Sequence, residues 1–598
     1  MRMSSEQDST RTFDHEHQLP RVPLPSLEDN CARFLAWCAP LLTPEQLADT
    51  EAAVAEFQAP GGPGPRLHAA LAEYDARPDV HSWLDTFWPY RYLGRRDRIA
   101  LNANFFFLFR DEPGVTGQFD RAARLVTDAV ALKLRLDDEK VPVVTLRGQP
   151  QTMEQYKYLF STTRIPGAEQ DTVRAPYYVT RPGPSTARHI LVFAGGRMTR
   201  LDVVAPDGRP YAEAEIAAAL HKLTQSERAP EEPVGQLTTM ARAEWAARRA
   251  ELLALDPANA EALYTVQDAL FCLCLDDLAP DSDLAACDRL LHGDSANRWF
   301  DKAVTLIVFA DGRAGINIEH CELDGTTVLA FVDTILGERQ PAAETAEGGP
   351  TFGPVEFVLD DGLREAVRKA ADSFAAFAGD TVSTVLSFTE FGADVAKGLG
   401  MSPDAFAQAA YQLAHRRARG HLGATYESIA TRHWRHGRTE AMRVVTPEMR
   451  RFTEAMTDPG ASAAEKVEAF RAAATAHVTR AKECQRGDAP EQHLWELQLI
   501  ARRRGDTEPL ALFESPGWLV MRDDWLSTSS APSVNVSYFG FGSTAAQCIG
   551  VAYVLLPDRL NIYLSTPRPV ADEMHAFATE LRHALTELTE LLSPSGAQ

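Results

Sequence analysis

Apolar and polar residues alternate along AGINIEH, at 314–320, and a two-residue period of this kind predicts a β-strand. The apolar run before it and the intervening ADGR turn predict a hairpin, because Asp-Gly pairs favour the tight turns that join antiparallel strands. Since side chains alternate between the two faces of a strand, Ile316, Ile318 and His320 share one face. We therefore expect His320 to point into a dry interior or a lined channel.

The rest of the chain mixes helical and extended patterns. The helical period predicts two helices within 23–57 and others at 66–76, 238–256, 363–378, 403–419, 461–483 and 571–592. Apolar runs predict strands at 99–108, 189–194, 201–205, 382–388, 517–521, 534–539, 549–556 and 560–565. A polar stretch with Gly and Pro, 337–354, predicts a linker. Mixed strands and helices on both sides of it predict two α/β domains.

Composition narrows the class of protein. The chain has 598 residues, too many for one hydrophobic core, and its formal charge of -23 disfavours binding to nucleic acid or anionic membranes. No apolar run reaches the length of a membrane helix, and the polar residues 1–20 read as a disordered tail without an export signal. We therefore expect a cytoplasmic protein without membrane insertion. The eight cysteines are scattered and predict neither a zinc site nor a disulfide framework.

His320 and Asp324 form the strongest chemical candidate. Asp324 lies just past the strand, where a turn brings a carboxylate back to the imidazole; a carboxylate on one ring nitrogen leaves the other free to act as a base. Alone, this spacing is a weak signal, because most such pairs are incidental or make a structural hydrogen bond. Cys321 sits beside the candidate base, but in a strand it faces away from His320 and is expected to be a buried thiol.

Three further segments carry candidate chemistry, each with a plainer alternative. Ser527 and Ser529 in LSTS share a face of an extended chain and would offer hydroxyl donors to an oxyanion; the alternative is a Ser/Thr-rich loop at a strand end. Residues 424–446 are dense in charged side chains, which is also typical of a solvated helix with salt bridges. Lys397 lies in a Gly-containing loop before a helix N-terminus, which suits a phosphate, although an exposed lysine is the commoner explanation.

Several stretches together carry a family resemblance: LPRVPLPSLEDNC, MEQYKYLFSTTRIPGAEQDTV, NRWFDKAVTLIVFADGRAGINIEHCELDGT, MSPDAFAQAAYQLAHRRARG, ATYES, GRTE and LSTS. In these the chain resembles the choline/carnitine acyltransferase family over nearly its whole length. The resemblance implies two related α/β domains, mixed sheets flanked by helices, with an active-site tunnel at their interface. Residues 83–357 would form the domain that carries His320, and residues 21–82 plus 358–598 the domain that carries LSTS.

The resemblance also implies a mechanism. His320 acts as general base on the acceptor hydroxyl, Asp324 orients and stabilises the imidazolium, and Ser529 donates a hydrogen bond to the tetrahedral oxyanion, without an acyl-enzyme. Acyl-CoA is the expected co-substrate, bound through Lys397 and Asp404, and no metal or other cofactor is expected. We expect a monomer whose only other partner is a small alcohol. The alternative from another class is a non-catalytic acyl-CoA-binding relative.

The acceptor side departs from the carnitine enzymes that the chain resembles. Tyr426 in ATYES and Thr439 in GRTE match residues that help to bind the carnitine carboxylate, but the arginine that binds it directly is Gln492 here. Losing a guanidinium opposite a carboxylate in a desolvated pocket is costly, so carnitine itself is disfavoured. Choline enzymes have an uncharged amide at this position but usually lack the threonine. The acceptor therefore stays open between choline and another alcohol.

The donor side departs as well. Of two lysines that grip the CoA 3′-phosphate in the family, one is Ala393 and only Lys397 remains. Either CoA binds more weakly, or the acyl group arrives on an acyl carrier protein, whose phosphopantetheine lacks that phosphate. The resemblance implies that Ser527, Ser537 and Phe539 contact the substrate. It also implies that the stretch FGFGSTAAQCIG changes the shape of the tunnel wall. Ser537 stands where short-chain enzymes have a bulky Met, which leaves room for medium or longer acyl groups; the alternative is a repacked pocket without a change in chain length.

Overall fold

Buried strands build two mixed sheets in the computed structural model, which describes residues 11–112, 114, 117–225, 232–337, 344–506 and 510–593. Helices flank both sheets, which confirms the predicted α/β class. None of the helices described is long and apolar enough to cross a bilayer.

The described elements are numbered in chain order. The strands are β1 (Phe105–Phe109), β2 (Thr145–Leu146), β3 (Gln149–Pro150), β4 (Thr163–Ile165), β5 (Thr172–Arg174), β6 (His189–Ala194), β7 (Arg197–Asp202), β8 (Cys272–Leu275), β9 (Val304–Val308), β10 (Ala314–Ile318), β11 (Phe352–Pro354), β12 (Thr381–Phe388), β13 (Ala424–Ala430), β14 (Thr439–Arg443), β15 (Asp524–Ser530), β16 (Val536–Phe541), β17 (Ile549–Leu555) and β18 (Leu560–Pro567). The helices are α1 (Leu27–Cys38), α2 (Pro44–Gln58), α3 (Pro63–Asp75), α4 (Phe87–Leu93), α5 (Gln118–Asp137), α6 (Glu213–Thr224), α7 (Arg242–Leu255), α8 (Pro257–Asp268), α9 (Asp283–Leu291), α10 (Gly325–Ile335), α11 (Asp361–Gly379), α12 (Ala393–Gly398), α13 (Pro403–Arg419), α14 (Pro447–Thr457), α15 (Ala463–Arg486), α16 (Glu491–Arg503), α17 (Ala511–Glu514), α18 (Pro516–Arg522) and α19 (Ala571–Leu592).

The two sheets share a boundary at β16. Within the described residues, the first sheet has the strand order β11-β7-β6-β8-β9-β10-β1-β16 and the second has the order β12-β18-β17-β15-β13-β14. Strand β16 belongs to the C-terminal part of the chain, yet it pairs antiparallel with β1, where Phe105 lies opposite Phe541. Asn561 and Ser565 of β18 donate hydrogen bonds to the carbonyls of β16. One edge of the first sheet is therefore tied to the second sheet.

The predicted hairpin is confirmed. Strands β9 and β10 pair antiparallel, with Ile316 opposite Leu306, and every residue of both strands is buried. Ile316 and Ile318 belong to the same apolar cluster as Phe105. Asn317, on the other face, donates hydrogen bonds to the carbonyls of Leu290 and Leu291, so this buried amide is satisfied. The strand therefore carries the chain toward His320 with the expected alternation.

The N-terminal helices pack with the second sheet. Phe34 of α1 and Phe57 of α2 lie in one apolar cluster with Leu526 of β15 and Val551 of β17. Thr43 caps α2 in a capping box with Gln46, and Pro44 occupies the first helical position. The domain boundaries at 82–83 and 357–358 stay a prediction.

Some expected elements differ in the structure. Residues 517–521, expected as a strand, form α18, because Pro516 at the first turn and a Ser515 cap start a helix there. Residues 424–446, for which a solvated helix was the alternative, form β13, β14 and the loop between them. Of the predicted linker, residues 338–343 lie outside the described part of the chain, and β11 lies at its end.

Residues 11–20, expected within a disordered tail, have defined contacts. The Thr12 hydroxyl is buried and donates to the carbonyl of Val141 at 2.7 Å. The Glu16 carboxylate accepts hydrogen bonds from the Thr152 hydroxyl at 2.6 Å and from the backbone N–H of His436 at 3.2 Å. These partners are distant in sequence, so the polar composition alone could not indicate them. Residues 1–10 lie outside the described part.

Candidate active site

His320 follows β10 and sits among aromatic side chains. Its imidazole lies 4.9 Å, centroid to centroid, from the Tyr92 ring and 5.0 Å from the Phe105 ring. The ring keeps a partial opening, since the side chain is 29% exposed. Nδ1 lies 2.7 Å from the carbonyl oxygen of Leu323. Because a carbonyl oxygen only accepts, Nδ1 carries the proton and Nε2 has a free lone pair.

The pKa of His320 favours the neutral ring. Burial lowers this pKa below the ordinary histidine value; the Asp324 carboxylate acts in the opposite direction, and the Arg438 guanidinium lowers it further. The imidazole is therefore a base with an available nitrogen at neutral pH.

Asp324 does not hold the ring nitrogen directly. Its Oδ1 is 3.7 Å from His320 Nδ1, beyond hydrogen-bond distance, and the Leu323 carbonyl takes the place that the sequence assigned to the carboxylate. Gln155 Nε2 donates to Asp324 Oδ2 at 2.6 Å, and the Asp324 backbone N–H donates to Gln155 Oε1 at 2.9 Å. The carboxylate thus acts on the imidazole through its charge, at a fixed position.

Arg438 completes this network and was not singled out from the sequence. Its guanidinium donates to both Asp324 oxygens, at 2.8 and 3.0 Å, and to the carbonyl of Cys321 at 2.8 Å. Burial alone would raise the pKa of Asp324, but the charge and hydrogen bonds of Arg438 bring it down to about 2. The guanidinium also lies 4.7 Å from the Tyr92 ring centroid. The only available signal was the position of Arg438 inside GRTE.

The two residues that follow His320, Cys321 and Glu322, have raised side-chain pKa values. Cys321 is buried, and burial with neighbouring carboxylates raises the pKa of its thiol, so it is not an activated nucleophile. Burial also raises the pKa of Glu322 to about 7, and the Tyr178 hydroxyl donates to this carboxyl at 3.2 Å. Glu322 is therefore partly protonated at neutral pH.

The LSTS hydroxyls lie within β15 rather than in a loop before a strand. Thr528 faces the helical side, where its hydroxyl donates to the Tyr426 carbonyl and accepts from Gln408 of α13. Ser527 and Ser529 take the opposite face, in register with Gly550 and Ala552. Ala552 belongs to the apolar cluster of Phe105, which contacts His320. Both serines therefore face the first sheet, on the side of the catalytic candidate.

Tyr426, Thr439 and Gln492 gather on the same face of the second sheet. Tyr426 lies opposite Ser527 in the parallel register of β13 and β15. Gln492, at the start of α16, donates through Nε2 to the Thr439 carbonyl at 2.8 Å. Its amide oxygen is buried and accepts no hydrogen bond from the described residues. Gln492 thus gives one amide N–H to the backbone and presents a buried acceptor oxygen without a partner among the described residues.

Ser537 and Phe539 lie on β16, and Phe539 approaches the base through aromatic contacts. Its ring is 6.2 Å from Phe105 and 5.3 Å from Phe107. Ser537 lies two residues before it, at an irregularity in the pairing of β16 with β1, between Val536 opposite Phe109 and Tyr538 opposite Leu108.

Lys397 and Asp404 lie away from this face. Lys397 belongs to the short helix α12 rather than a loop; it is 60% exposed and pairs with Asp394 at 3.2 Å. Asp404, in the first turn of α13, accepts from the Tyr553 hydroxyl at 2.6 Å and lies 3.0 Å from His477 Nε2. Asp404, His477 and Glu427 form the one group of the described residues whose ligand atoms are close enough together for a metal ion. Their mutual contacts already occupy much of that binding capacity.

Similarity to known proteins decides the family. The sequence model described as choline/carnitine O-acyltransferase matches residues 22–583. The chain belongs to this family. Carnitine O-acetyltransferase of Homo sapiens is 32% identical to this family member over 602 residues, which cover 98% of the chain and 95% of that protein. Mitochondrial carnitine O-palmitoyltransferase 2 of Mus musculus is 32% identical over 93% of the chain and 89% of that protein.

These relatives confirm the resemblance found in the sequence and make this member of the family an acyltransferase. Among solved structures, the trichothecene 15-O-acetyltransferase of Fusarium sporotrichioides is 11% identical, with a TM-score of 0.40 over 82% of this chain and 93% of that one.

Proposed function

We propose that the protein transfers an acyl group from an acyl thioester to the hydroxyl of a small acceptor, with His320 as general base. One observation carries this proposal. The Leu323 carbonyl fixes the proton of His320 on Nδ1, and the lone pair of Nε2 is free on a ring that is partly open. A general base needs this combination of a neutral ring and an available nitrogen.

The proposed reaction has one covalent exchange and no acyl-enzyme. His320 Nε2 takes the proton of the acceptor hydroxyl while the oxygen attacks the thioester carbonyl. When the tetrahedral intermediate collapses, the C–S bond breaks and the imidazolium returns the proton to the thiolate sulfur. Asp324 stabilises the imidazolium from 3.7 Å, and base catalysis of this kind contributes about 10²–10⁴-fold to the rate.

Ser529 is the proposed oxyanion donor. Its hydroxyl lies on the face of β15 that looks toward the cluster of Phe105, and Ser527 shares that face. The neighbouring Thr528 is unsuited because its hydroxyl is engaged with Tyr426 and Gln408 on the other face. A positioned donor of this kind is worth about 10²–10³-fold in kcat.

The acceptor is a small alcohol, and carnitine bound through position 492 is disfavoured. One N–H of the Gln492 amide donates to the Thr439 carbonyl, and the residue has no positive charge with which to pair a carboxylate. Tyr426 and Thr439 remain as proposed substrate-binding residues.

His320→Ala tests the proposal. We expect acyl-CoA-dependent acylation of a panel of alcohols, followed by thiol release and mass spectrometry, to fall at least about 10²-fold with the thermal midpoint little changed. Cys321→Ser is the matched control at the next position, and it keeps its activity if the thiol is only structural. Full turnover in His320→Ala would reject the mechanism, and no turnover of any acyl donor by the wild type would favour the non-catalytic alternative.

An acyl carrier protein is the second candidate donor. The observation that favours it is the single lysine, Lys397, which is exposed and paired with Asp394 next to Ala393. Rates with acyl-CoA, its 3′-dephospho form and an acyl carrier protein distinguish the donors. Indifference to the 3′-phosphate would support the carrier, and a large loss on removing it would support CoA.

The remaining parts of the proposal concern the length of the acyl group, the location of the protein, its oligomeric state and its need for a cofactor. The small side chain of Ser537, beside Phe539, favours medium or longer acyl groups. We further propose that the protein works as a cytoplasmic monomer without a metal or other cofactor. Sedimentation analysis, and activity after treatment with a chelator, test the last two points.

A further inference from the structure

Arg91 lies one aromatic ring away from the catalytic base. The residue belongs to α4, and its guanidinium carbon is 5.8 Å from the Tyr92 ring centroid and 5.4 Å from that of Trp495. Tyr92 in turn contacts the imidazole of His320 at 4.9 Å between centroids. Burial works to lower the pKa of Arg91, but Tyr92, Tyr426 and Glu491 outweigh it and raise the pKa, which places the guanidinium beside these groups.

The charges around Arg91 do not balance. We define the acceptor-side charge cluster as Arg91, Arg443, Arg522, Glu491 and Asp524. Arg443 pairs with Glu491 at 2.7 Å and with Asp524 at 2.5 Å, and Arg522 lies 3.7 Å from Glu491. Arg91 forms an ion pair with no carboxylate of the described chain. Three guanidiniums therefore face two carboxylates, which leaves one positive charge in excess.

A nearby carboxyl does not remove the excess. Glu440 of β14 is buried, and burial together with the charge of Glu491 raises the pKa of its carboxyl well above the ordinary value. Its carboxyl accepts a hydrogen bond from the backbone N–H of Ala441 and forms no ion pair with a described arginine or lysine, so it does not balance the charge of Arg91. The guanidiniums of Arg91 and Arg522 lie 5.4 and 3.9 Å from the Trp495 ring centroid, and an unbalanced charge that is partly buried in this way is costly unless a ligand supplies its counter-ion.

Resting on the proposed function, we infer that Arg91 determines acceptor specificity by binding an anionic group, of which a carboxylate is the simplest, on the hydroxyl acceptor. The hydroxyl meets His320 on one side of the Tyr92 ring, and the anion meets Arg91 beyond it. A guanidinium offers several donors in one plane, which suits a carboxylate better than the acceptor oxygen at Gln492 does. The positive charge that the α16 position lacks is thus supplied from α4.

The test compares L-carnitine with its carboxamide, which has nearly the same shape and the same ammonium group but an uncharged amide in place of the carboxylate. For the wild type we expect kcat/KM to favour the carboxylate by about tenfold or more. In Arg91→Gln that preference should disappear, mainly through KM for the carboxylate, while kcat with the carboxamide is retained. Arg91→Lys should keep part of the preference, because it keeps the charge but loses the planar fork.

Arg95→Gln is the matched control, since Arg95 is an exposed arginine four residues on that pairs with Asp97. It should leave the preference unchanged. Calorimetric titration of both compounds into wild type and Arg91→Gln gives a readout that needs no turnover. An equal response to both compounds in the wild type, or an Arg91→Gln preference like that of the wild type, overturns the inference while acyl transfer itself still stands. Loss of transfer from every donor with carboxylate-selective binding retained would instead count against the proposed function alone.

Discussion

Arg438→Gln removes the guanidinium that balances Asp324 and should change both stability and the pH profile. The Asp324 side chain is only 2% exposed and accepts two of its three side-chain hydrogen bonds from Arg438. Breaking a buried ion pair by removing one partner costs about 3–5 kcal/mol. We therefore expect a clearly lower thermal midpoint, with the variant still folded because Gln155 continues to hold the carboxylate.

The shift in pH dependence follows from the charges around His320. The base works when neutral, so kcat/KM rises with pH through its pKa, which in the wild type lies below the ordinary histidine value. Removing Arg438 deletes a charge that lowers this pKa and leaves the Asp324 carboxylate, 3.7 Å away, less balanced. The Arg438 guanidinium lies 2.8 Å from the Asp324 oxygen that is itself 3.7 Å from the ring nitrogen. At a separation of about 6 Å and an effective dielectric of about 20, its charge is worth about 3 kcal/mol, or about 2 pKa units.

Partial protonation of Asp324 in the variant reduces the effect, so we expect the acidic limb of the profile to move up by about 1–2 pH units. The assay measures kcat/KM for thiol release between about pH 5 and pH 9, which roughly covers the range over which histidine side chains titrate. Arg438→Lys should move the limb less. Arg432→Gln is the matched control, because Arg432 is also buried but donates to the Thr152 carbonyl instead of a carboxylate. An acidic limb that stays in place or moves to lower pH in a folded, active Arg438→Gln would refute the reasoning.

Three other changes have expected outcomes. Ser529→Ala should lower kcat by about 10²-fold with little change in KM. An equal loss of kcat in Ser527→Ala would contradict the assignment of Ser529 as the oxyanion donor. Ser537→Met should reduce transfer of medium and long acyl groups relative to acetyl, measured as a ratio of kcat/KM values; an unchanged ratio would mean that this face of β16 does not border the acyl chain. Gln492→Arg should improve carnitine relative to choline in a competition assay, and no gain would mean that the carboxylate is bound elsewhere.

The local pattern predicted those parts of the site that depend on local structure. The alternation from 314 to 320 placed Ile316, Ile318 and His320 correctly, because a two-residue period and an Asp-Gly turn leave few other folds for the segment. Helix α19 begins and ends where its period does, at Ala571 and Leu592. By contrast, the apolar run at 517–521 fits a strand or a buried helix equally well, and Pro516 decided it.

The partners of the base could not be predicted in the same way. The Leu323 carbonyl, rather than the expected carboxylate, accepts the hydrogen bond of His320 Nδ1. Which of the two oxygens lies at the ring depends on a small difference in the path of the loop after β10. Arg438 reaches Asp324 across 114 residues of sequence, and in the sequence it belongs to a charge-rich segment that is also typical of a solvated surface. No periodicity records a contact of that kind, because it depends on how the two sheets meet.

Two arginines share the ring of Tyr92, and their different partners give them different roles. The Arg438 guanidinium is 4.7 Å from the ring centroid and is paired with Asp324, so its effect on catalysis comes through the pKa of the base. Arg91 is 5.8 Å from the same centroid and forms no ion pair with a carboxylate of the described residues, so its charge is available to the anionic group that we propose for the acceptor. A charge that is paired within the protein can still shift the pKa of a neighbouring group, whereas an unpaired charge can bind a ligand group of opposite charge. Changing Arg438 should therefore move the pH profile alike for carnitine and its carboxamide, whereas changing Arg91 to Gln should remove the difference between the two compounds at every pH.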